Sequence, residues 1–282
     1  MKRLFAAAGC IGLAALAGCK DGVLDPKGPI AFAELQILAD STAIMLAIVV
    51  PTIIATLGVA FWFRASNRRA RYQPDFEHSG RIELLVWAIP IMTVLLVGSV
   101  AWVAAHELDP KRPIESAAKP LHVQVISLDW KWLFIYPDEG IATVNQLTIP
   151  VGRTVNFELT GAGVMNSFFV PQLGSQMYTM AGMVNYLNLR ADHEGTYRGL
   201  SAEFSGDGFA DMQFTVNAAN DGDFAKWVAD AHSAGPALDA DSYAELAKPS
   251  AAVAPITYGA VASDFFDNVV ESIAADCRGP KK

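Results

Sequence analysis

Two stretches of this chain, Ser41–Phe63 and Leu84–Ala105, contain no charged residue. At 1.5 Å per residue the first would make roughly 34 Å of helix, and the second is about as long, so each is long enough to cross the hydrocarbon core of a bilayer. Pro51 lies near the middle of the first run and is expected to kink it, which membrane helices tolerate when neighbours re-satisfy the backbone. Trp62, Trp87 and Trp102 lie toward the ends of the runs, where amphipathic rings favour the interface. Between the runs stand Arg64, Arg68, Arg69, Arg71 and Arg81 against Asp75 and Glu77. By the positive-inside rule this loop is cytoplasmic, so everything after His106 lies outside.

The N-terminus gives the same orientation independently. Lys2 and Arg3 precede the apolar stretch Leu4–Ala17, which is too short to span and reads as a signal segment. It ends Leu16-Ala17-Gly18-Cys19, which resembles the bacterial lipoprotein box. That resemblance implies a signal peptide over 1–18 and a diacylglycerol (with palmitate-type acyl chains) on Cys19 at the outer face of the membrane. The competing reading is an ordinary signal peptide with a chance cysteine. Residues 19–40, with Pro26, Gly28 and Pro29, are expected to form an extracytoplasmic linker. The expected order is then span 41–63, cytoplasmic loop 64–83, span 84–105, a periplasmic domain over 106–216 and an extension over 217–282.

From Leu121 to Val216 the pattern predicts strands. LHVQVISLDWKWLFIY alternates at first and is rich in branched and aromatic residues. TVNQLTIP and TVNFELT follow, parted by a turn at Val151-Gly152-Arg153. Asn185–Arg190, Thr196–Gly199 and Met212–Val216 are further candidates. Short strands at this spacing predict an all-β Greek-key sandwich or barrel. After Asn217 the composition turns to Ala and Asp. Asp221–Ala231 places Phe224, Trp227, Val228 and Ala231 on one helical face, and Val261–Ala275 does so with Phe265, Val269 and Ile273. These helices are expected to pack on the sandwich or on a neighbouring subunit.

Charge and cysteine usage exclude several functions. The net charge is −8 with histidine neutral, and from His106 onward 22 Asp or Glu face 12 Lys or Arg, which argues against nucleic acid as a partner. The three cysteines are Cys10, Cys19 and Cys277, and the first two fall in the processing region. One thiol is left where a dithiolate bridge needs two. A mononuclear copper site would need Cys277 with two histidines, and His122, His193 and His232 show no such spacing.

The segments VMNSFFVPQLGSQMYTMAGM and GTYRGLSAEFSGDGFADM carry a resemblance. They resemble the copper-binding half of subunit II of the haem–copper respiratory oxidases, and SLDWKW and IYPDEGIATVNQ narrow it to the cytochrome o-type (bo-type) ubiquinol oxidase branch. The resemblance covers roughly residues 30–216 and implies a two-helix transmembrane hairpin followed by a cupredoxin-like sandwich. A C-terminal helical extension is usual in that branch. In the cytochrome c oxidase branch these segments hold a dinuclear copper centre. Here Asn166 stands at the first histidine position, Ser201 and Ser205 at the cysteine positions, and Phe209 at the second histidine position. Glu203 and Met212 keep the family residue. A serine hydroxyl does not replace a thiolate near neutral pH, and a phenyl ring coordinates nothing, so no metal is expected here.

The resemblance also implies the setting. The chain would work in the bacterial inner membrane beside oxidase subunit I and smaller membrane subunits. Subunit I would hold the haems, the remaining copper and the ubiquinol site, with no cofactor in this chain beyond its lipid. The complex would oxidise ubiquinol, reduce oxygen to water and pump protons. Glu83, with Trp87 and Pro90, resembles a family signature near the cytoplasmic mouth of a proton path, which makes it a proton-uptake candidate. Read without the resemblance, it is a first-turn carboxylate at a helix N-terminus. Trp130 and Trp132 form an aromatic cluster whose structural reading, anchoring the sandwich, outweighs an electron-relay role. Glu203 could still meet a divalent ion at a subunit interface. Two other readings remain: a membrane-anchored cupredoxin-like lipoprotein acting outside any oxidase, and a cytochrome c oxidase subunit II.

Overall fold

A computed structural model describes residues 22–71, 73–116 and 118–278 of the chain. Cys19 and the signal segment lie outside the described residues. The chain divides into two compact units, one of Glu34–Asp109 and one that combines the segment up to Ala33 with everything from Pro110 onward.

The first unit holds most of α1 (Pro29–Trp62) and all of α2 (Gly80–Glu107). No residue of either apolar window is buried within the chain, so these faces need lipid or another subunit around them. The hydroxyls of Thr52, Thr56, Thr93 and Ser99 each donate to the carbonyl four residues back, at 2.7–2.8 Å. That internal pairing removes hydroxyl groups from an apolar surround. Helix α1 starts eleven residues before the end of the stretch read above as a linker, and this corrects that boundary. Pro29 opens the helix instead of breaking it, because a first-turn position has no N–H obligation and suits the fixed φ of proline.

The start of α1 belongs to the second unit. Lys27 N–H donates to Gln172 O at 2.7 Å, Asp192 N–H to Lys27 O at 2.8 Å, and Ala31 N–H to Leu173 O at 3.3 Å. Ala31 is buried, and a Cβ added to Gly28 would sit 2.2 Å from Arg190 O. Only glycine allows the chain to lie so close to that strand.

Two sheets make the body of this unit. The six-stranded sheet contains β1 (Leu121–Leu128), β2 (Lys131–Tyr136), β3 (Ile141–Val144), β5 (Thr154–Gly161), β8 (Asn185–Arg190) and β12 (Ile256–Tyr258), in the order β12-β3-β2-β1-β5-β8. The five-stranded sheet has β4 (Gln146–Pro150), β6 (Asn166–Phe169), β7 (Met177–Thr179), β9 (Gly195–Ser201) and β10 (Gln213–Ala219), in the order β4-β10-β9-β6-β7. Two parallel pairings, β1 with β5 and β4 with β10, sit among antiparallel neighbours. The predicted all-β sandwich is what forms, and β8 falls on the residues expected.

Over the end of β1 and over β2 and β3, the six-stranded sheet is buried on both faces. Val123, Val125, Trp132, Phe134 and Tyr136 point into a core shared with Phe168, Phe214 and Val216 of the other sheet. Ile126, Leu128, Leu133, Ile135, Ala142 and Val144 point the other way, into a second core closed by Leu238, Leu246, Phe266 and Val269 of the C-terminal extension. Each such side chain stabilises by about 1.5–3 kcal/mol when fully buried. This explains the sequence of β1. It alternates while its outer face carries His122 and Gln124, then is continuously buried from Val125 to Leu128, where the extension lies over Ile126 and Leu128.

The extension is therefore packed on its own domain. Helix α3 (Asp221–Ala234) buries Phe224 and Ala231 and lays Trp227 and Val228 against the first core, the face read from the sequence. Helix α4 (Ala240–Leu246), which the sequence reading missed, begins with a capping box between Asp239 and Ser242. The hydrogen bonds from Ser242 hold the Asp239 carboxyl below its ordinary pKa. Helix α5 (Phe265–Arg278) starts four residues later than expected and presents Phe265, Val269 and Ile273 to the second core. The extension is not wholly helical, because β12 pairs with β3 and two short strands, β11 (Ala237–Leu238) and β13 (Ala260–Val261), pair with each other.

Polar groups fasten the strap that carries the chain from α4 to β12. Lys131 is 1 % exposed, yet its Nζ donates to Lys248 O at 2.8 Å and to Asp129 O at 3.3 Å. Asn145, in the left-handed region at φ 55°, accepts from Trp132 N–H at 2.9 Å and donates to Val253 O at 2.8 Å. Desolvation pulls the Lys131 ammonium below the usual lysine pKa, with Asp129 opposing the shift.

Two stability predictions follow from this packing. A Cβ at Gly199 would sit 2.1 Å from the Phe214 ring, which stacks on Phe168 at 5.1 Å. Gly199→Ala is expected to cost about 2–3 kcal/mol by overpacking, read as a lowered Tm of the purified chain. For Lys131 the pH dependence carries the sign. The unfolded lysine holds its proton up to about pH 10.4, whereas the folded one releases it earlier. The unfolded state therefore binds more protons in that window, and stability rises with pH there. The Tm of the natural chain relative to Lys131→Met is expected to climb from the lowered pKa toward about pH 10; a flat difference would show that the ammonium is not desolvated.

Candidate functional site

One end of the five-stranded sheet gathers most of the positions that the sequence singled out. Strand β6 contributes Asn166, the end of β9 contributes Ser201, and the loop from Ala202 to Met212 brings Glu203, Ser205 and Phe209. A one-turn 3-10 helix, Phe209–Asp211, ends that loop. Asn166, Ser201 and Met212 are buried at 3 %, 3 % and 1 % exposure, and Ser205 is also buried.

The four are tied together by hydrogen bonds. Ser201 Oγ donates to Asn166 Oδ1 at 3.0 Å and lies 3.3 Å from Glu203 O. Ser205 Oγ points to Met212 Sδ at 4.0 Å, and Ser201 N–H donates to Met212 O at 3.0 Å. Asn166 Nδ2 donates to Val164 O at 3.0 Å, and Asn166 O accepts from Thr179 Oγ1 at 3.3 Å. Behind them Thr179 Oγ1 and Ser127 Oγ share a 2.7 Å bond, a pairing that no sequence pattern announced.

Phe209 and Glu203 behave differently from these four. The Phe209 side chain is half-buried and packs edge-on against Phe204 at 5.6 Å, so it belongs to an apolar rim. Glu203 is half-buried, and its backbone carbonyl is the group that meets Ser201.

Trp130 holds the loop in place. Its backbone sits at φ 64°, a left-handed conformation costing about 1 kcal/mol or more for a non-glycine residue. In return the indole N–H donates to Ser205 O at 3.0 Å, and the ring lies over Gly206 and Gly208. A Cβ at Gly208 would come within 2.4 Å of that ring. Trp132 lies deeper, edge-on to Phe168 at 5.5 Å and Phe214 at 5.7 Å. Its indole N–H has no hydrogen-bond partner among the described residues. The two tryptophans are thus a loop clamp and a core residue.

The donor set does not fit copper. It offers two neutral hydroxyls, a carboxamide and a thioether, with the hydroxyls already directed at groups within the cluster. Thiolate and imidazole are what a soft redox metal takes, and this pocket has neither. Among the described residues no group of three or more His, Cys, Asp or Glu side chains converges.

Around the cluster the surface is unusually apolar for a soluble face. Phe204 in the loop is 73 % exposed, and Val164 and Met165, just before Asn166, are exposed as well.

Glu83 lies in the other unit, in the first turn of α2, and is exposed. His78 Nδ1 stands 2.8 Å from its Oε1, a pairing that sequence reading did not anticipate.

With this geometry in view, comparison with known proteins gives a consistent result. A family model described as "Cytochrome C oxidase subunit II, periplasmic domain" matches residues 138–219, and one described as "COX Aromatic Rich Motif" matches residues 232–274. The "Cytochrome bo(3) ubiquinol oxidase subunit 2" of Pseudomonas aeruginosa is 45 % identical over 255 residues, covering 90 % of this chain and 77 % of the relative. The protein of the same name from Pseudomonas putida is 43 % identical over 98 % of this chain and 88 % of its own length. The "Ubiquinol oxidase subunit 2" of Acetobacter aceti is 48 % identical over 83 % of this chain and 77 % of its own. The second matched segment contains Tyr243, Tyr258, Phe265 and Phe266, the aromatic residues of the second core. A sandwich with this two-sided sheet, this ligand loop and relatives at this identity over most of their length places the chain in the subunit II family of the haem–copper oxidases, in its bo-type ubiquinol oxidase branch.

Proposed function

We propose that this chain works in a bacterial ubiquinol oxidase as a subunit with no redox centre of its own. The observation that carries the reading is the closed cluster of Asn166, Ser201, Ser205 and Met212, in which neutral side chains bond to one another where an electron-accepting metal would need thiolate and imidazole. Electrons from ubiquinol would then pass directly to the haems and copper of subunit I, without entering this domain.

The roles left to the chain are structural and protonic. The two apolar helices span the inner membrane as a hairpin, with the arginine loop on the cytoplasmic face and the sandwich in the periplasm. A diacylglycerol on Cys19 adds a third anchor beside the sandwich. The exposed residues Phe204, Val164 and Met165 suit a partner surface, because an apolar patch of that kind is poorly placed in water. Subunit I is the partner proposed, with the smaller membrane subunits against the spans. Glu83, exposed at the start of α2, collects protons at the cytoplasmic face.

Two measurements test this reading. The detergent-purified complex is expected to consume oxygen with ubiquinol and not with reduced cytochrome c. Turnover with cytochrome c would place an electron-accepting centre in this chain after all, and a preparation with neither activity nor haem would favour the free-standing lipoprotein. Glu83→Ala is expected to slow quinol-driven turnover severalfold, and Glu83→Asp less, since a shorter carboxylate still exchanges protons. Unchanged turnover in both variants would remove Glu83 from proton uptake.

A further inference from the structure

We propose that the loop joining α1 and α2 binds the headgroup of an anionic phospholipid. A cavity of about 780 Å³ opens where α1 ends and α2 begins. Its floor is apolar, made by Val59 and Phe63 of the first helix end, Phe76 of the loop and Ile82 of the second helix. Its rim carries Arg64 and Arg71.

The two guanidinium groups are differently prepared. Arg64 is set in place by its own neighbours: Nε donates to Ser66 Oγ at 3.0 Å, and Cζ stands 3.9 Å above the Phe61 ring. This fixes the plane of the fork and leaves its terminal N–H groups for a ligand, so less side-chain entropy is lost on binding. Arg71 makes no hydrogen bond or ion pair among the described residues. Over residues 64–83 five arginines face Asp75, Glu77 and Glu83, a cationic excess of two. Of the other titratable groups at the start of α2, Glu83 is engaged by His78.

Charge and shape together select the occupant. Arginine forks match phosphate oxygens in bidentate geometry. Free inorganic phosphate would satisfy the rim and leave the floor wet. A phospholipid fills both, because the floor residues Val59, Phe63 and Ile82 are continuous with the exposed apolar surfaces of the two helices, along which acyl chains would lie. Basic segments beside a membrane span attract anionic lipids, and basic pockets at helix ends take their headgroups. The lipid would fix the angle at which the loop meets the membrane, a few residues from Glu83.

This inference rests on the proposed hairpin with its loop on the cytoplasmic face, so the test separates the two. The purified complex is stripped of lipid, incubated with phosphatidylglycerol or phosphatidylcholine, and bound lipids are counted by native mass spectrometry. The natural complex is expected to retain one phosphatidylglycerol in preference to phosphatidylcholine. Arg64→Gln with Arg71→Gln is expected to weaken that binding about twenty-five-fold, taking a factor of roughly five for each basic residue. Arg68→Gln with Arg69→Gln removes the same charge outside the cavity and is expected to leave the binding unchanged. Equal losses in the two pairs, no preference for the anionic lipid, or crosslinking of a photoreactive group at Phe76 to a partner subunit in place of lipid would overturn the site. Separately, Ser79→Cys in a Cys277→Ser background is labelled in whole cells with a membrane-impermeant maleimide. Labelling from outside would overturn the hairpin orientation and leave the binding measurement on the purified complex standing.

Discussion

Burial of the central strands of the six-stranded sheet on both faces is the constraint on which the soluble unit depends. Strands β1 and β2 lie at its centre and have almost no solvent-facing positions. A sandwich of two sheets covers only one of those faces. Without the second core, Ile126, Leu128, Leu133, Ile135, Ala142 and Val144 would form a continuous apolar surface on an exposed sheet. The extension after Ala219 is thus part of the fold and not an appendage. The position of its helices follows from where the strand sequence stops alternating. Lys131 and Asn145 then make sense as polar fasteners, since each donates to a backbone carbonyl of the strap.

That constraint also explains what the sequence disclosed and what it hid. Both apolar runs were legible because an unbroken uncharged stretch of that length has few alternatives. The faces of α3 and α5 were legible because Phe224, Trp227 and Ala231, or Phe265, Val269 and Ile273, repeat with helical period. The start of α1 was not, because Pro26, Gly28 and Pro29 read as breakers. Only the tertiary contact of Gly28 with Arg190 O shows why a glycine stands just outside the helix and a proline at its first position. Helix α4 is too short for a periodic signal, although Asp239 and Ser242 carried the cap.

At the ligand loop the legible and hidden parts divide by chemistry. The resemblance to the copper-binding subunit picked out Asn166, Ser201, Ser205 and Phe209, and their chemistry marked them as side chains unsuited to a soft metal. They gave no sign that Asn166 and Ser201 bond to each other, or that Phe209 leaves the cluster for Phe204. Nor could they show that Trp130 adopts a left-handed backbone and clamps the loop through Ser205 O. Such features depend on which strands lie side by side, and strand neighbours here are far apart in sequence.

A metal centre that is bound only by the folded state stabilises it, and side-chain hydrogen bonds restrain a loop by other means. In this chain the loop has been given other restraints. The Ser201–Asn166 bond closes the gap between β6 and β9, the Trp130 indole ties down the carbonyl of Ser205, and the bulk of Trp130 requires glycine at 206 and 208. Each hydrogen bond is worth about 1 kcal/mol, so together they keep the loop ordered without matching a coordinated metal. The larger contribution lies on the opposite side of the sheet, where the second core buries five side chains of the extension, Leu238, Leu246, Tyr258, Phe266 and Val269. The fold is therefore held by packing on both sides of the central strands, and the loop from Ala202 to Met212 by its own hydrogen bonds.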